Sequence, residues 1–174
     1  MKKECTEEQA RLKAEAYCVG AERCTNDVLR KLKQWGLPEK LHESVIDHLR
    51  EERYIDDTRF AIAFVRDKYR FNQWGIIRLV MELEYRNIDK PSIKLALKEI
   101  DKEEYLSILT ELLRKKNLSI ETDNEYERKG KLLRFAASHG YEMDTILQRM
   151  ERMKDEAEMV DCFVETLFPV VSID

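Results

Sequence analysis

One pattern occurs three times along this chain and narrows its fold more than any other feature. Val28-Leu29-x-x-Leu32-x-x-x-Gly36-Leu37 overlays Leu79-Val80-x-x-Leu83-x-x-x-Asn87-Ile88, and both overlay Leu132-Leu133-x-x-Ala136-x-x-x-Gly140-Tyr141. Positions 32, 83 and 136 lie 51 and 53 residues apart. Within each copy the apolar spacing is that of one helix face. Each copy ends on Gly, Asn or Gly, the residues that best tolerate the left-handed conformation that stops a helix. A polar capping position and another apolar-faced helix follow each time. A period of this length holds about three helices. The chain therefore reads as all-α, with three tandem three-helix, helix-turn-helix-like units and a C-terminal helix. Tandem units contact mainly their neighbours, so the expected body is elongated and curved. The units are placed at 1–53, 54–101 and 102–154, with the last helix and tail at 155–174.

The scarcity of turn formers agrees. With 5 Gly and 3 Pro, the chain cannot punctuate a many-stranded sandwich or barrel, and it has no glycine-rich phosphate loop. Thr6 is expected to cap a first helix over about 6–20, with Glu7 and Glu8 favouring the positive end of its dipole. Thr25 or Asn26 caps a second helix that stops at Gly36, and Pro38 opens a third with Leu41, Val45, Ile46 and Leu49 inward. Asp56-Asp57 reads as the cap of a helix over roughly 57–70 that buries Phe60, Ala61, Phe64 and Val65. Trp74-Gly75 breaks it. The next helix carries Leu79, Val80 and Leu83; Asp89 then caps and Pro91 opens another. Later helices are expected from Tyr105 to Lys116, from Tyr126 to His139 and from about Asp144. A last amphipathic stretch over about 155–168 ends before Pro169.

No catalytic constellation stands out. Adjacent carboxylates at a helix start are caps more often than an acid/base pair, and no Ser or Cys has a base at recognisable spacing. His42, His48 and His139 read as ordinary surface or helix-end residues. Cys5, Cys18, Cys24 and Cys162 show neither C-x-x-C nor a zinc spacing, so reduced thiols are expected. We therefore expect no enzyme, no metal and no cofactor. The longest apolar run, Phe60 to Val65, is far short of the ~20 residues a bilayer requires. Glu4, Glu7 and Glu8 stand where a signal peptide needs an apolar run. The expectation is a cytoplasmic monomer with no membrane partner.

Charge is unevenly distributed. With 31 Lys+Arg against 35 Asp+Glu the net value is −4, which argues against DNA binding by bulk positive charge. Yet Arg59, Arg66, Lys68, Arg70, Arg78, Arg86 and Lys90 outnumber the acids between 59 and 90, with Phe71, Trp74 and Tyr85 interleaved. Lys68, Arg70 and Arg78 bracket the Trp74-Gly75 bend and are expected near one edge. Arg30, Lys31 and Lys33 occupy the equivalent helix of the first unit, and Arg128, Lys129, Lys131 and Arg134 that of the third. One basic helix per unit suits a surface facing an anionic track. A plain solvated face explains the same residues, and both readings stay open on local sequence.

The run Tyr54-Ile55-Asp56-Asp57-Thr58-Arg59-Phe60-Ala61-Ile62-Ala63-Phe64-Val65-Arg66 resembles the central motif of the RecX family, bacterial regulators of the RecA recombinase. So does Gly75-x-x-x-Leu79-x-x-x-Leu83-x-x-x-x-Ile88, and the repeats around Val28 to Leu37 and Leu132 to Met150 resemble its flanking modules. The likeness covers about 24–153. Ile76 stands where the family commonly has Pro, and Asn87 where it has Gly. The resemblance implies stacked three-helix modules that bind along the groove of the RecA–single-stranded-DNA filament. There they suppress ATP hydrolysis and strand exchange or promote disassembly. The contact surface is then expected at Arg66, Lys68, Arg70, Arg78 and Arg86, with Arg30 and Lys33 as lesser partners. Phe60, Phe64, Leu79 and Leu83 are assigned to core, and Arg59 to pairing with Asp56 or Asp57. Direct DNA contact is expected to be weak. The rival is a direct nucleic-acid-binding helix-turn-helix-like module. Against groove insertion by the third helix stand Glu39, Glu43, Asp47, Glu51 and Glu52, which repel phosphate.

Overall fold

The computed structural model describes residues 5–167, and the side chains of 5–156. The described residues are helical, with no strand among them: α1 Glu7–Val19, α2 Thr25–Trp35, a 3-10 turn Glu39–Leu41, α3 His42–Glu51, α4 Asp57–Phe71, α5 Ile76–Tyr85, α6 Lys90–Leu97, α7 Lys102–Leu118, α8 Glu125–Ser138 and α9 Met143–Leu167. They form two compact units. One comprises the residues up to Phe71 with Leu79–Ile100, the other Asn72–Arg78 with the residues from Asp101 onward.

In the first unit α1, α2 and α3 pack on one another and α4 packs on α6. Ala10, Ala14, Val28, Leu32, Val45, Ile46 and Leu49 form the α1–α3 core, closed by Leu37 and Ile55. Burying each large aliphatic side chain stabilises the fold by about 1.5–3 kcal/mol. In the second unit α7, α8 and α9 pack together around Leu109, Leu113, Leu132, Ala136, Tyr141 and Ile146.

The repeat is a repeat of hydrogen bonds as well as of sequence. The Leu37 N–H donates to the Leu32 carbonyl at 3.1 Å, Ile88 to Leu83 at 3.1 Å and Tyr141 to Ala136 at 3.3 Å. The residue before each donor is left-handed, with φ of 78° at Gly36, 58° at Asn87 and 89° at Gly140. This is the six-residue helix stop of a Schellman motif, followed each time by a buried residue: Leu37, Ile88 or Tyr141. Caps at the other ends also follow the sequence. Thr6 and Gln9 form a capping box, Asp89 accepts the Ser92 N–H at 2.9 Å, and Asp101 accepts that of Glu104 at 2.7 Å.

Five expectations are corrected. The N-cap of α2 is Cys24, whose weakly accepting sulfur makes no side-chain cap, and Thr25 is already the first helical residue, its N–H taken by a distant carboxylate. The third helix starts with a 3-10 turn before α3, since Pro38 is extended (φ −55°, ψ 137°). Phe64 is only half-buried, whereas Tyr69 is fully buried, continuing the Ala61–Val65 row at i, i+4 spacing. His42 stands at a helix end as expected, the first residue of α3, but is buried rather than at the surface, donating Nε2–H to the Leu37 carbonyl at 2.9 Å. No new helix begins at 155: α9 runs from Met143 to Leu167, with no Gly or Pro to interrupt it. The end expected before Pro169, and the Cys162 side chain, lie outside the described residues. Cys5, Cys18 and Cys24 are free thiols and buried.

Candidate partner-binding surface

The Asp56-Asp57 pair divides its work between two helices. Asp56 accepts the Arg59 N–H at 2.9 Å and so caps its own helix, α4. Asp57 reaches back to the start of α2, taking the Thr25 N–H on Oδ1 and the Thr25 hydroxyl on Oδ2, each at 2.7 Å. Arg59 does not pair with either of them through its guanidinium. Its Nε donates to Glu22 at 2.7 Å and its Nη2 to the carbonyls of Arg53 and Tyr54 at 3.2 and 3.4 Å. A cavity of about 600 Å³ lies over the motif, lined by Arg50, Arg53, Ile55, Asp56, Asp57, Thr58 and Arg59. Both carboxylates on it already serve as helix caps.

The basic residues of α4 do not share one side. At about 100° per residue, Arg66 and Arg70 project together while Lys68 points about 160° away from each. Arg66 is exposed and ion-paired with Glu99 on the chain after α6. Arg70 lies over the Tyr69 ring at 5.3 Å. Lys68 is half-buried, its Nζ 5.7 Å from the Phe64 ring, and Arg86 of α5 approaches the same ring at 5.0 Å while pairing with Glu82 at 2.6 Å. The structure thus gathers Lys68 and Arg86 on Phe64 and sets Arg70 apart from Lys68. Two cations over one ring explain why Phe64 stays at the surface instead of entering the core. Arg78 belongs to the second unit, where it lies over Trp74 at 4.1 Å. Of the lesser residues, Arg30 pairs with Asp27, a hydrogen bond that raises the guanidinium pKa, and Lys33 pairs with Glu39 at 3.4 Å. Four of the seven bases therefore hold carboxylates; the exposed pairs, Arg66–Glu99 and Lys33–Glu39, contribute only about 0–1 kcal/mol each, whereas Arg86–Glu82 is half-buried.

The Trp74-Gly75 bend has a tight partner that its sequence does not announce. Gly75 N–H donates to the His139 carbonyl at 2.8 Å and Ile77 N–H to the Gly140 carbonyl at 3.0 Å. A Cβ on Gly75 would stand 2.2 Å from the Gly140 carbonyl carbon, and one on Gly140 would stand 2.4 Å from the Arg78 Cβ. Ile76 N–H donates to the Tyr105 hydroxyl at 3.0 Å, which in turn donates to Glu142 at 2.8 Å. Burial drives the Tyr105 pKa far above its ordinary value, so the hydroxyl remains a donor. The start of α5 is thereby stitched to the α8–α9 turn. A Pro at position 76 would have no N–H to give Tyr105, so Ile76 supplies a bond that Pro could not.

Among the described residues no group of three His, Cys, Asp or Glu is placed to hold a metal ion, and no helix is long and apolar enough to cross a membrane.

Comparison with known proteins follows this geometry closely. Residues 56–97 match the family model described as the second three-helix domain of RecX, and residues 103–149 match that of the third. The chain is 26% identical over 151 residues to the regulatory protein RecX of Bacillus cytotoxicus, covering 87% of this chain and 56% of that one. It is 30% identical over 132 residues to that of Bacillus thuringiensis, covering 76% and 48%. The chain thus spans about half the length of the curated relatives it matches. Two crystal structures share the fold. One is of a regulatory protein RecX, with TM-score 0.74 and 22% identity over 83% of this chain and 74% of that one. The other is RecX from Lactobacillus salivarius, with TM-score 0.76 and 18% identity over 85% and 96%.

Proposed function

Since this chain belongs to the RecX family, we propose that it regulates recombination by binding the RecA–single-stranded-DNA filament and mostly inhibiting its ATPase, strand exchange and growth. The observation that carries this reading is the threefold helix stop at Gly36, Asn87 and Gly140, which repeats one helix–turn element along the chain. The helices it ends in the first and third copies, α2 and α8, are rich in bases, while in the second copy the bases gather on the preceding helix, α4. A chain that repeats one helical element suits a partner that is itself periodic. The relatives are named regulatory proteins, and here the one conspicuous carboxylate pair is spent on helix caps, which favours a binding role over an enzymatic one.

Arg66, Lys68, Arg70, Arg78 and Arg86 are assigned to the filament contact, with Arg30 and Lys33 in support. Binding one filament state better than the other opposes the nucleotide-linked rearrangement, by as much as the two affinities differ. The chain acts as a monomer in the cytoplasm, without a cofactor and with only weak direct DNA contact. Co-sedimentation with the cognate RecA filament tests the assignment. The wild-type chain should pellet with the filament, and Lys68→Glu combined with Arg70→Glu should reduce the bound fraction severalfold while the thermal midpoint holds. Undiminished pelleting of the folded double variant would discard the assignment of these residues. Tight, steeply salt-dependent binding to bare duplex would favour the direct DNA-reading alternative.

A further inference from the structure

The cations of the proposed filament contact mostly hold carboxylates, but another set, whose lysines donate only to the neutral Gln34 and Cys5 side chains, does not. Lys13 of α1 lies 5.9 Å from the Trp35 ring of α2, and Lys31 of α2 lies 5.6 Å from the Tyr17 ring of α1. Arg23, between the two helices, stacks on Tyr17 at 4.2 Å. Lys13 and Tyr17 are four apart, as are Lys31 and Trp35, so each lysine covers the aromatic of the facing helix. Among the described residues no carboxylate forms a salt bridge with Lys13, Arg23 or Lys31. The nearby acids are engaged elsewhere: Glu7 by Arg11 and Ser44, Glu15 by His48, Glu22 by Arg59 and Asp27 by Arg30. Glu8 lies a turn before Leu12, on the far side of α1 from Tyr17.

Beside this patch α1 exposes an aliphatic stripe. Leu12 is 63% and Val19 77% exposed, and with Ala16 they stand at i, i+4 and i+7 on the outer face. The Lys13–Tyr17 row is rotated from it by only about 100°. An aliphatic ridge gives a sugar-phosphate backbone nothing, and the ring faces that would stack bases are already covered by cations. An apolar ridge edged by uncompensated positive charge instead complements a segment that is apolar on one side and acidic on the other.

We propose that the outer face of α1, with Arg23 and Lys31 beside it, docks an acidic amphipathic polypeptide segment of a protein partner. The surface lies outside both matched stretches, 56–97 and 103–149, and uses none of the residues assigned to the filament. It goes beyond the filament reading, and either can fail without the other.

The test is fluorescence anisotropy of a labelled synthetic helical peptide, with Glu on one face and Leu on the other, titrated with the full chain. Saturable binding is expected that weakens as salt rises. Lys13→Glu with Lys31→Glu should weaken it at least about tenfold, and Leu12→Ser with Val19→Ser severalfold, whereas Arg66→Glu should leave it unchanged. All the substituted side chains are exposed or half-buried, and an unchanged thermal midpoint verifies the fold. Peptide binding indifferent to both double variants overturns the proposal. So does an oligo-dT probe that binds instead and depends on the lysines but not on Leu12 and Val19. Self-association of the chain abolished by Leu12→Ser with Val19→Ser would assign the ridge to a second copy and overturn it equally.

Discussion

Asp57 Oδ1 and Oδ2 each lie 2.7 Å from Thr25, one accepting its backbone N–H and the other its hydroxyl. One carboxylate thereby satisfies the exposed start of α2 from the start of α4, and fixes the first three-helix group to the helix that follows. Removing it leaves the Thr25 N–H without its acceptor at a helix start, in a chain whose own N-cap, Cys24, offers none.

Asp57→Ala should therefore destabilise the protein by about 2 kcal/mol in urea unfolding, more than a change at a singly bonded cap. Asp57→Asn, which keeps one acceptor oxygen, should lose less. Equal stability of all three proteins would show that this bridge does not hold α2 to α4.

Gly75 and Gly36 separate two reasons for glycine at a helix boundary. Gly36 has φ 78° and open space around it, so Gly36→Ala should cost only the left-handed strain, about 1 kcal/mol. At Gly75 a methyl group would stand 2.2 Å from the Gly140 backbone, so Gly75→Ala should cost about 3 kcal/mol or more. Asn87 is left-handed at φ 58°, and Asn87→Gly should hold or slightly raise stability. Urea midpoints rank the three variants, and a Gly36 variant weaker than the Gly75 variant would refute the steric argument.

Cys24 sits at the N-cap of α2, where a helix dipole ordinarily acidifies a thiol. Burial wins here and pushes its pKa up to about 12 from an ordinary 9.0. The folded state thus keeps the thiol protonated where the unfolded chain would release the proton. Its contribution to stability is complete below pH 9 and declines as the pH rises from there toward 12. A thiol-reactive disulfide reagent at pH 8 should label Cys24 only as fast as the fold opens. Rapid labelling of the native protein would contradict this environment.

The helical class and the three stops were legible because they depend on local physics: apolar residues at one helix face and a Gly or Asn able to turn left-handed. Thr6, Asp89 and Asp101 illustrate the same point, since each caps a helix three residues away. What the sequence hid was long-range. The Asp57–Thr25 bridge spans 32 residues and Arg59–Glu22 spans 37. Nothing near Gly75 in the chain reveals that Gly140 lies against it. The candidate surface was half legible for the same reason. Its bases could be listed, but Arg66 taking Glu99 and Lys68 parting from Arg70 depend on partners and on the turn of α4. The Lys13–Tyr17 and Lys31–Trp35 pairs went unread in the sequence, because only the packing of α1 on α2 shows that each lysine covers the other helix's ring.

The filament reading is decided by the DNA-dependent ATPase of the organism's own RecA on single-stranded DNA, titrated with this protein. Hydrolysis should fall at well below one molecule per recombinase protomer, and the Lys68→Glu, Arg70→Glu double variant should need severalfold more protein for the same effect. ATPase that stays constant up to stoichiometric addition of folded protein would contradict the account.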